Sequence, residues 1–373
     1  MARTRTPHST ARSPGIGAKT QARRDIVVVG ASAGGLQALQ GLLHDLPGDF
    51  QAAVLVVLHT PPDATGYMAE ILGRAGPLPA VYPLDGAEIT HGCVMVAPPD
   101  HHLVVDGARV RVIRGPRENA MRPAIDPLFR TAAQSYGPRV VGVVLSGALD
   151  DGTEGMLAIH HAGGVTIVQH PEEALFPSMP LSTLRHVEVD HIASVSEIAK
   201  RLVELSENGT QEPEPASPVQ DPAEEPDADL LQGTARETPA AFTCPECGGA
   251  LADASHEGVV RYQCHVGHAF GAESLVAYHG EALERALWTA LRTLEEAAAL
   301  RHAMAARALE GGLEALERSY LRQAENLEAR AEVIRTVVER ETASKNDPQA
   351  QPGHQTDAGD APRGKTAFPS GWR

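Results

Sequence analysis

The stretch Asp25-Ile26-Val27-Val28-Val29-Gly30-Ala31-Ser32-Ala33-Gly34-Gly35 decides the fold of this chain. An apolar run of β-formers, Ile26 to Val29, leads into Gly-Ala-Ser-Ala-Gly-Gly, and Leu36, Leu39, Leu42 and Leu43 follow at helical spacing. The pattern predicts a buried strand, a sharp glycine turn and a helix, with Ser32 at the apex. Three readings of that apex compete. Gly30-x-Ser32-x-Gly34 fits a nucleophile elbow, in which a strained turn presents a serine to substrate. A glycine-rich loop at a helix N-terminus also attracts phosphate. The third reading is a plain structural turn. The dinucleotide fingerprint needs glycine where Ser32 stands and an acid about 20 residues on. Here the next apolar run, Ala53 to Leu58, ends instead in His59.

Further out the same alternation continues. Cys93–Ala97, Val140–Leu145 and Val165–Val168 read as buried strands, and Leu103–Val105 with Val110–Ile113 as a hairpin around Asp106-Gly107. Strands nearly continuous in Val, Ile and Leu, separated by helical patterns, predict an α/β domain with a mostly parallel sheet. Chemistry in such a sheet gathers at the carboxyl ends of the strands. A serine there needs a base and an orienting acid to become a nucleophile. Two histidines end strands, His59 and His170, and both are candidate bases. His44, His91, His101, His102, His160, His161, His186 and His191 fall in helices or polar loops, where surface or capping roles are expected. The acid candidates, Asp150 and Asp151, follow the run Val143–Leu145 in a glycine-rich loop. The same aspartates also suit a helix cap, or a metal site for which no further ligand stands at a fitting spacing.

These motifs together, in order, resemble the chemotaxis-type protein-glutamate methylesterase family (CheB). They are Gly30-Ala31-Ser32-Ala33-Gly34-Gly35, Val57-Leu58-His59, Ala124-Ile125-Asp126-Pro127-Leu128-Phe129-Arg130 and Leu145-Ser146-Gly147-Ala148-Leu149-Asp150-Asp151-Gly152. Gly163-Gly164-Val165 through Gln169, Pro171-Glu172-Glu173-Ala174 and Met179-Pro180 extend the match, which covers residues 25–205. The resemblance implies a three-layer α/β/α domain that hydrolyses glutamate methyl esters on a chemoreceptor or other protein, with glutamine deamidation as shared chemistry. It assigns the nucleophile to Ser32, the base to His59 and the orienting acid to Asp151. Oxyanion donors are then the backbone N–H groups of Ala33 and Ala148, and no cofactor is needed for catalysis. Family members often carry a leading receiver domain. Only 24 residues precede this domain, so that input is expected to be absent. The rival reading is a regulatory protein of the same fold whose esterase activity has lapsed.

The remainder of the chain is organised around a linker. Its formal net charge of −16 argues against a general nucleic-acid binder. No apolar run approaches the ~20 residues that span a bilayer, so no membrane insertion is expected. Residues 1–24 form a basic tail without an export signal, which makes the cytoplasm the default location. Residues 206–240 are acidic and proline-rich, a composition that cannot offset its chain entropy by burial. Cys244-x2-Cys247 and Cys264-x3-His268 then give a knuckle, residues 241–272, with the ligand count of a closed structural zinc site; His265 is the alternative fourth ligand. From 273 to 342 the pattern is helical, broken at Gly311-Gly312, which predicts an antiparallel hairpin. One stripe is Leu283, Leu287, Leu291, Leu294 and Ala298; the other is Leu309, Leu313, Leu316, Tyr320, Leu327, Ile334 and Val338. The stripes are read as the hairpin's own packing face and as a candidate dimer surface. Residues 343–373 form a polar tail.

Overall fold

The computed structural model describes residues 23–207 and 238–345. The expected basic tail, acidic linker and C-terminal tail therefore lie almost wholly outside the described residues. The chain divides into two compact units, residues 1–279 and 280–373.

The first unit begins with β1 (Ile26–Ala31), α1 (Gly35–Asp45), β2 (Ala53–Leu58), α2 (Met68–Gly73), β3 (Ala80–Val81) and β4 (Val94–Val96). A hairpin follows, β5 (His102–Asp106) and β6 (Arg109–Ile113), and then α3 (Ile125–Tyr136) and β7 (Val140–Val144). The α/β part ends with α4 (Thr153–His161), β8 (Val165–Gln169), α5 (Ser178–His186), β9 (His191–Ala193) and α6 (Val195–Glu207). Seven strands form one sheet in the order β3-β4-β2-β1-β7-β8-β9. Every pairing in it is parallel. The two edge strands β3 and β9 are two and three residues long, too short to register as apolar runs in the sequence.

Both faces of the sheet are covered, which is why its strands lack polar alternation. Val27, Val29 and Ala31 face a layer built on Leu39, Leu42 and Leu43 of α1 and Ile198 and Leu202 of α6. Ile26 and Val28 face the opposite layer, with Ile125, Leu128 and Phe129 of α3, Met156 and Ile159 of α4 and Met179 of α5. One turn of strand thus feeds two cores. The order reverses at β1, which has β2 on one side and β7 on the other. At such a switch point the loops leaving neighbouring strands part and open a crevice at the carboxyl ends.

The same unit contains a small antiparallel sheet, β10 (Thr238–Thr243), β11 (Ala250–Asp253), β12 (Arg261–Cys264) and β13 (Ala269–Gly271), and the start of α7 (Ala272–Glu310). The expected linker boundary at 240 is corrected: β10 already begins at Thr238, and α6 continues to Glu207. Cys244, Leu251, Cys264, Phe270 and Leu275 form its core.

In the second unit the remainder of α7 runs antiparallel to α8 (Glu314–Lys345). Arg335 bonds Glu295 at 2.6 Å and His302 bonds Glu328 at 2.8 Å. The buried seam follows a seven-residue rhythm, Leu291, Ala298 and Ala305 on one helix and Ala324, Ala331 and Val338 on the other. Leu291, Ala298 and Val338 of the expected stripes lie on this seam, while Leu283, Leu309, Leu313 and Leu316 are corrected, because they are exposed. The rest of the seam is Ala305, Ala324 and Ala331, whose small side chains stand out little in the apolar pattern.

Candidate active site

Ser32 sits in the turn between β1 and α1. The turn closes through the Gly35 N–H on the Ser32 carbonyl (2.9 Å) and through Gly34 at φ 70°, a left-handed backbone that glycine adopts without strain. The Ser32 amide donates to the Ser146 carbonyl at 3.0 Å, which ties the elbow to the loop leaving β7. Gly147 lets that loop come close, since a Cβ there would lie 3.0 Å from the Cβ of Ser32 and 2.0 Å from the Met179 sulfur. The Ser146 hydroxyl donates to the Ala33 carbonyl (2.8 Å) and accepts from the Phe176 amide (2.9 Å). The Ser146 amide in turn donates to the side-chain carbonyl of Gln169 (2.8 Å).

His59 follows β2, and its amide donates to the Ala31 carbonyl at 3.1 Å. Its Nδ1 is 3.0 Å from the Ser32 hydroxyl and its Nε2 is 2.7 Å from Oδ2 of Asp151. The His59 and Asp151 side chains are 6% and 2% exposed. Asp151 is acceptor-only when ionised, so the imidazole proton lies on Nε2 and Nδ1 is free to accept the serine proton. The ring is reversed relative to the usual serine-protease arrangement, in which Nε2 faces the serine.

Four donors converge on the Asp151 carboxylate. Oδ2 accepts from His59 Nε2 and the Ile125 amide (2.8 Å); Oδ1 accepts from Asn119 Nδ2 (3.0 Å) and the Asp126 amide (3.3 Å). Burial alone would raise this carboxyl, but the His59 bond and the Ile125 amide outweigh it and hold Asp151 well below the usual carboxylate range. The α3 N-terminus supplies the Ile125 and Asp126 amides, so its dipole adds to the effect.

The neighbouring Asp126 is pushed the other way. Burial, the Asp151 charge and the Glu154 charge hold its carboxyl well above the ordinary value. It accepts from the Gly155 amide at 2.7 Å and from Asn119 Nδ2 at 3.3 Å. A raised folded-state value means that Asp126 favours the folded state at low pH and loses that advantage as pH rises through it. An amide keeps the acceptor for the Gly155 amide; its NH2 gives up only the long bond from Asn119 Nδ2, which retains Asp151 as its acceptor. Asp126→Asn is therefore expected to stay within about 1 kcal/mol of wild type near the ordinary carboxylate range and to gain on it at higher pH. Urea midpoints across that range check it.

The other predicted residues are distributed as follows. His170 is exposed beyond β8 and accepts from the Glu172 amide at 3.3 Å, away from Ser32. Of the two aspartates, Asp151 faces His59, while Asp150 accepts from the Glu273 and Ser274 amides (3.1 and 3.2 Å) and so caps α7. The capping reading thus applies to Asp150. Among the described residues, no acceptor is bonded to the amide N–H of Ala33 or Ala148. The expected surface role for His102 is corrected. It is fully buried in β5, where Nε2 donates to the Pro116 carbonyl (2.9 Å) and Nδ1 accepts from the Ala124 amide (3.2 Å). Burial pushes its pKa down, which suits that neutral form. Asn119 was not anticipated, because a lone polar residue in an irregular loop leaves no periodic trace.

Cys244, Cys247, Cys264 and His268 bring their ligand atoms within 4.8 Å of one another. The Cys247–Cys264 sulfur separation is 3.7 Å, and His268 Nδ1 lies 3.7 Å from the Cys244 sulfur and 3.6 Å from that of Cys264. A tetrahedral zinc ion with ~2.3 Å bonds to sulfur spaces its sulfurs about 3.8 Å apart, so the donor set fits that ion. His265, the alternative ligand, points its exposed ring toward Gly249 instead. Burial pushes the Cys244 thiol up to about 12, and the Gly249 amide pulls Cys247 down.

The sequence model described as CheB methylesterase matches residues 27–202. A putative protein-glutamate methylesterase/protein-glutamine glutaminase of Leptospira interrogans is 33% identical over 189 residues, covering 50% of this chain and 98% of the relative. The chain belongs to the CheB methylesterase family. Protein-glutamate methylesterase/protein-glutamine glutaminase 3 of Geobacter sulfurreducens is 36% identical over 186 residues, 49% of this chain. The chain spans only 50% of that CheB relative's length. The crystal structure of the Thermotoga maritima CheB methylesterase catalytic domain matches with 32% identity, a TM-score of 0.47, and coverage of 48% of this chain and 98% of its own. Among the described residues no helix is long and apolar enough to cross a membrane.

Proposed function

We propose that this chain is a serine esterase that hydrolyses glutamate methyl esters on a methylated receptor protein, working in the cytoplasm. The observation that carries the reading is the continuous chain Ser32 Oγ–His59–Asp151, at 3.0 and 2.7 Å, on the carboxyl ends of adjacent strands. In this reading His59 Nδ1 takes the proton from Ser32 as its oxygen attacks the ester carbonyl. The oxyanion develops against the Ala33 and Ala148 amides. Asp151 holds the imidazolium that forms. The imidazolium then returns its proton to the departing methoxide, which leaves as methanol. Water, deprotonated by the same histidine, attacks the acyl-serine, and glutamate is released with Ser32 regenerated. Deamidation of glutamine differs only in the leaving group, ammonia, and the names of the relatives include it.

Cys244, Cys247, Cys264 and His268 would hold a zinc ion. With four protein ligands it would brace the fold and take no part in the ester chemistry. A lapsed esterase is the less favoured reading, because the Ser32–His59 and His59–Asp151 hydrogen bonds are both present and support an intact relay. The test is methanol release from a methylated receptor fragment, run beside a serine-directed phosphonate. Release together with labelling confined to Ser32 supports the reading. A folded chain that releases no methanol and leaves Ser32 unlabelled refutes it.

A further inference from the structure

The Cys/His knuckle is built onto the loop that carries Asn119. The Ala269 amide donates to the Arg117 carbonyl (3.2 Å) and the Asn119 amide donates to the Ala269 carbonyl (2.7 Å). The Gly271 amide donates to Oδ1 of Asn119 at 2.8 Å. Asn119 is itself buried and held at φ 50°. Its backbone and its acceptor thus serve the knuckle, while its remaining donor, Nδ2, bonds the outer oxygen of Asp151.

Two more contacts fasten the same region. Asp150, next to Asp151, accepts from the Ser274 hydroxyl as well as from the two amides it caps. Arg261 of β12 pairs with Glu118 and Glu154. The ligand loop leads directly into these contacts. Cys264 and His268 are closed into one turn by the Cys264 amide on the His268 carbonyl (3.0 Å) and the Gly267 amide on the Cys264 carbonyl (2.8 Å). Ala269, the residue after ligand His268, hydrogen-bonds the Asn119 loop, and Glu246, between ligands Cys244 and Cys247, pairs with Arg117 of the same loop at 3.5 Å.

We infer that Asn119 is a positioning residue for Asp151, and that the knuckle, closed on a divalent cation, holds Asn119 in place. Metal binding at 244–268 then sets the orientation of the acid and, through it, of His59. The catalytic consequence rests on the esterase reading above; the mechanical link does not. Without the cation the turn at 264–268 loses its clamp, β13 loosens from the Asn119 loop, and the Nδ2 bond to Asp151 opens. Outer hydrogen-bond partners of this kind are commonly worth about 10–100-fold in activity.

The experiment uses the full chain loaded with Zn2+, the chelated chain, Cys247→Ser (the exposed ligand), Asn119→Ala and the double variant. Three readouts are followed: the rate of Ser32 phosphonylation, the downfield proton resonance of His59 Nε2–H, and amide exchange in segments 117–126 and 26–31. Chelation and Asn119→Ala are each expected to slow phosphonylation about 10–100-fold and to broaden or shift the His59 resonance. Exchange should rise in 117–126 and not in 26–31, and Asn119→Ala should retain its zinc. The double variant should be no slower than the slower single one, because both act through one contact. Losses that multiply, or a chelated chain with unchanged resonance and exchange, would overturn the proposal. A wild type that never reacts with phosphonate defeats the esterase reading alone, and the exchange and resonance readouts still decide the link.

Discussion

Asp151→Asn is expected to lower the rate of methanol release by about 10⁴-fold while leaving the fold intact, an effect of the size seen when a triad acid becomes an amide. The reason lies in the four donors around this carboxylate. One oxygen faces His59 Nε2 and the Ile125 amide, the other faces Asn119 Nδ2 and the Asp126 amide. An asparagine must turn its NH2 toward one pair. Facing His59, it drives the imidazole proton to Nδ1, where the ring can no longer accept the Ser32 proton. Facing Asn119, it sets donor against donor in a buried site. Either way the base is lost or misaimed. Ser32→Ala in the same assay should fall further, by about 10⁶-fold in kcat, because the nucleophile itself is gone. Steady-state methanol release with matched circular dichroism checks both. An Asp151→Asn chain within tenfold of wild type would mean that Asp151 does not orient the base.

Arg130→Met is expected to destabilise the first unit by about 3–5 kcal/mol, the usual cost of removing one partner from a buried ion pair. Arg130 bonds both oxygens of Glu118 (3.0 and 2.8 Å) and one of Glu154 (3.1 Å), and all three side chains are buried. Arg261 reaches the same two glutamates from β12 and cannot replace the second cation. Burial would raise Glu118, but Arg130 and then Arg261 overcome it and lower its carboxyl from 4.5 to about 2. A depressed value stabilises the folded state above pH 4.5, and that contribution is lost as pH falls toward about 2. The wild type should therefore lose stability steeply across that window, and the variant less so. Urea unfolding at neutral pH and at pH near 3 measures both. A cost under 1 kcal/mol would show that the two glutamates find other partners.

Much of the α/β half was legible along the chain. The run into Gly30–Gly35 specifies strand, turn and helix by local rules alone, since apolar β-formers, then glycines, then leucines at helical spacing leave little choice. The Cys/His spacing likewise predicts the knuckle, because the ligands come from two tight turns. Where the sequence left pairs of candidates, the sheet order and the loops decided. His59 and His170 both end strands, but β2 lies against β1 while β8 is separated from it by β7. Asp150 and Asp151 differ by one residue, and the loop turns one toward α7 and the other toward His59.

Asn119 and the attachment of the knuckle had no trace in the sequence. Residues 119, 151 and 271 lie far apart along the chain, and their meeting depends on how β13 packs against the loop before α3. Buried His102 was misread for a related reason, as its polar neighbours in sequence conceal that β5 lies under the Pro116 and Ala124 backbone. The sequence by itself determined the central strands and helices, the serine's turn and the metal-ligand spacing, all of them set by contacts between near neighbours. Only the tertiary structure decided which histidine, which aspartate and which asparagine share one hydrogen-bonded chain, because those bonds join segments that no local rule relates.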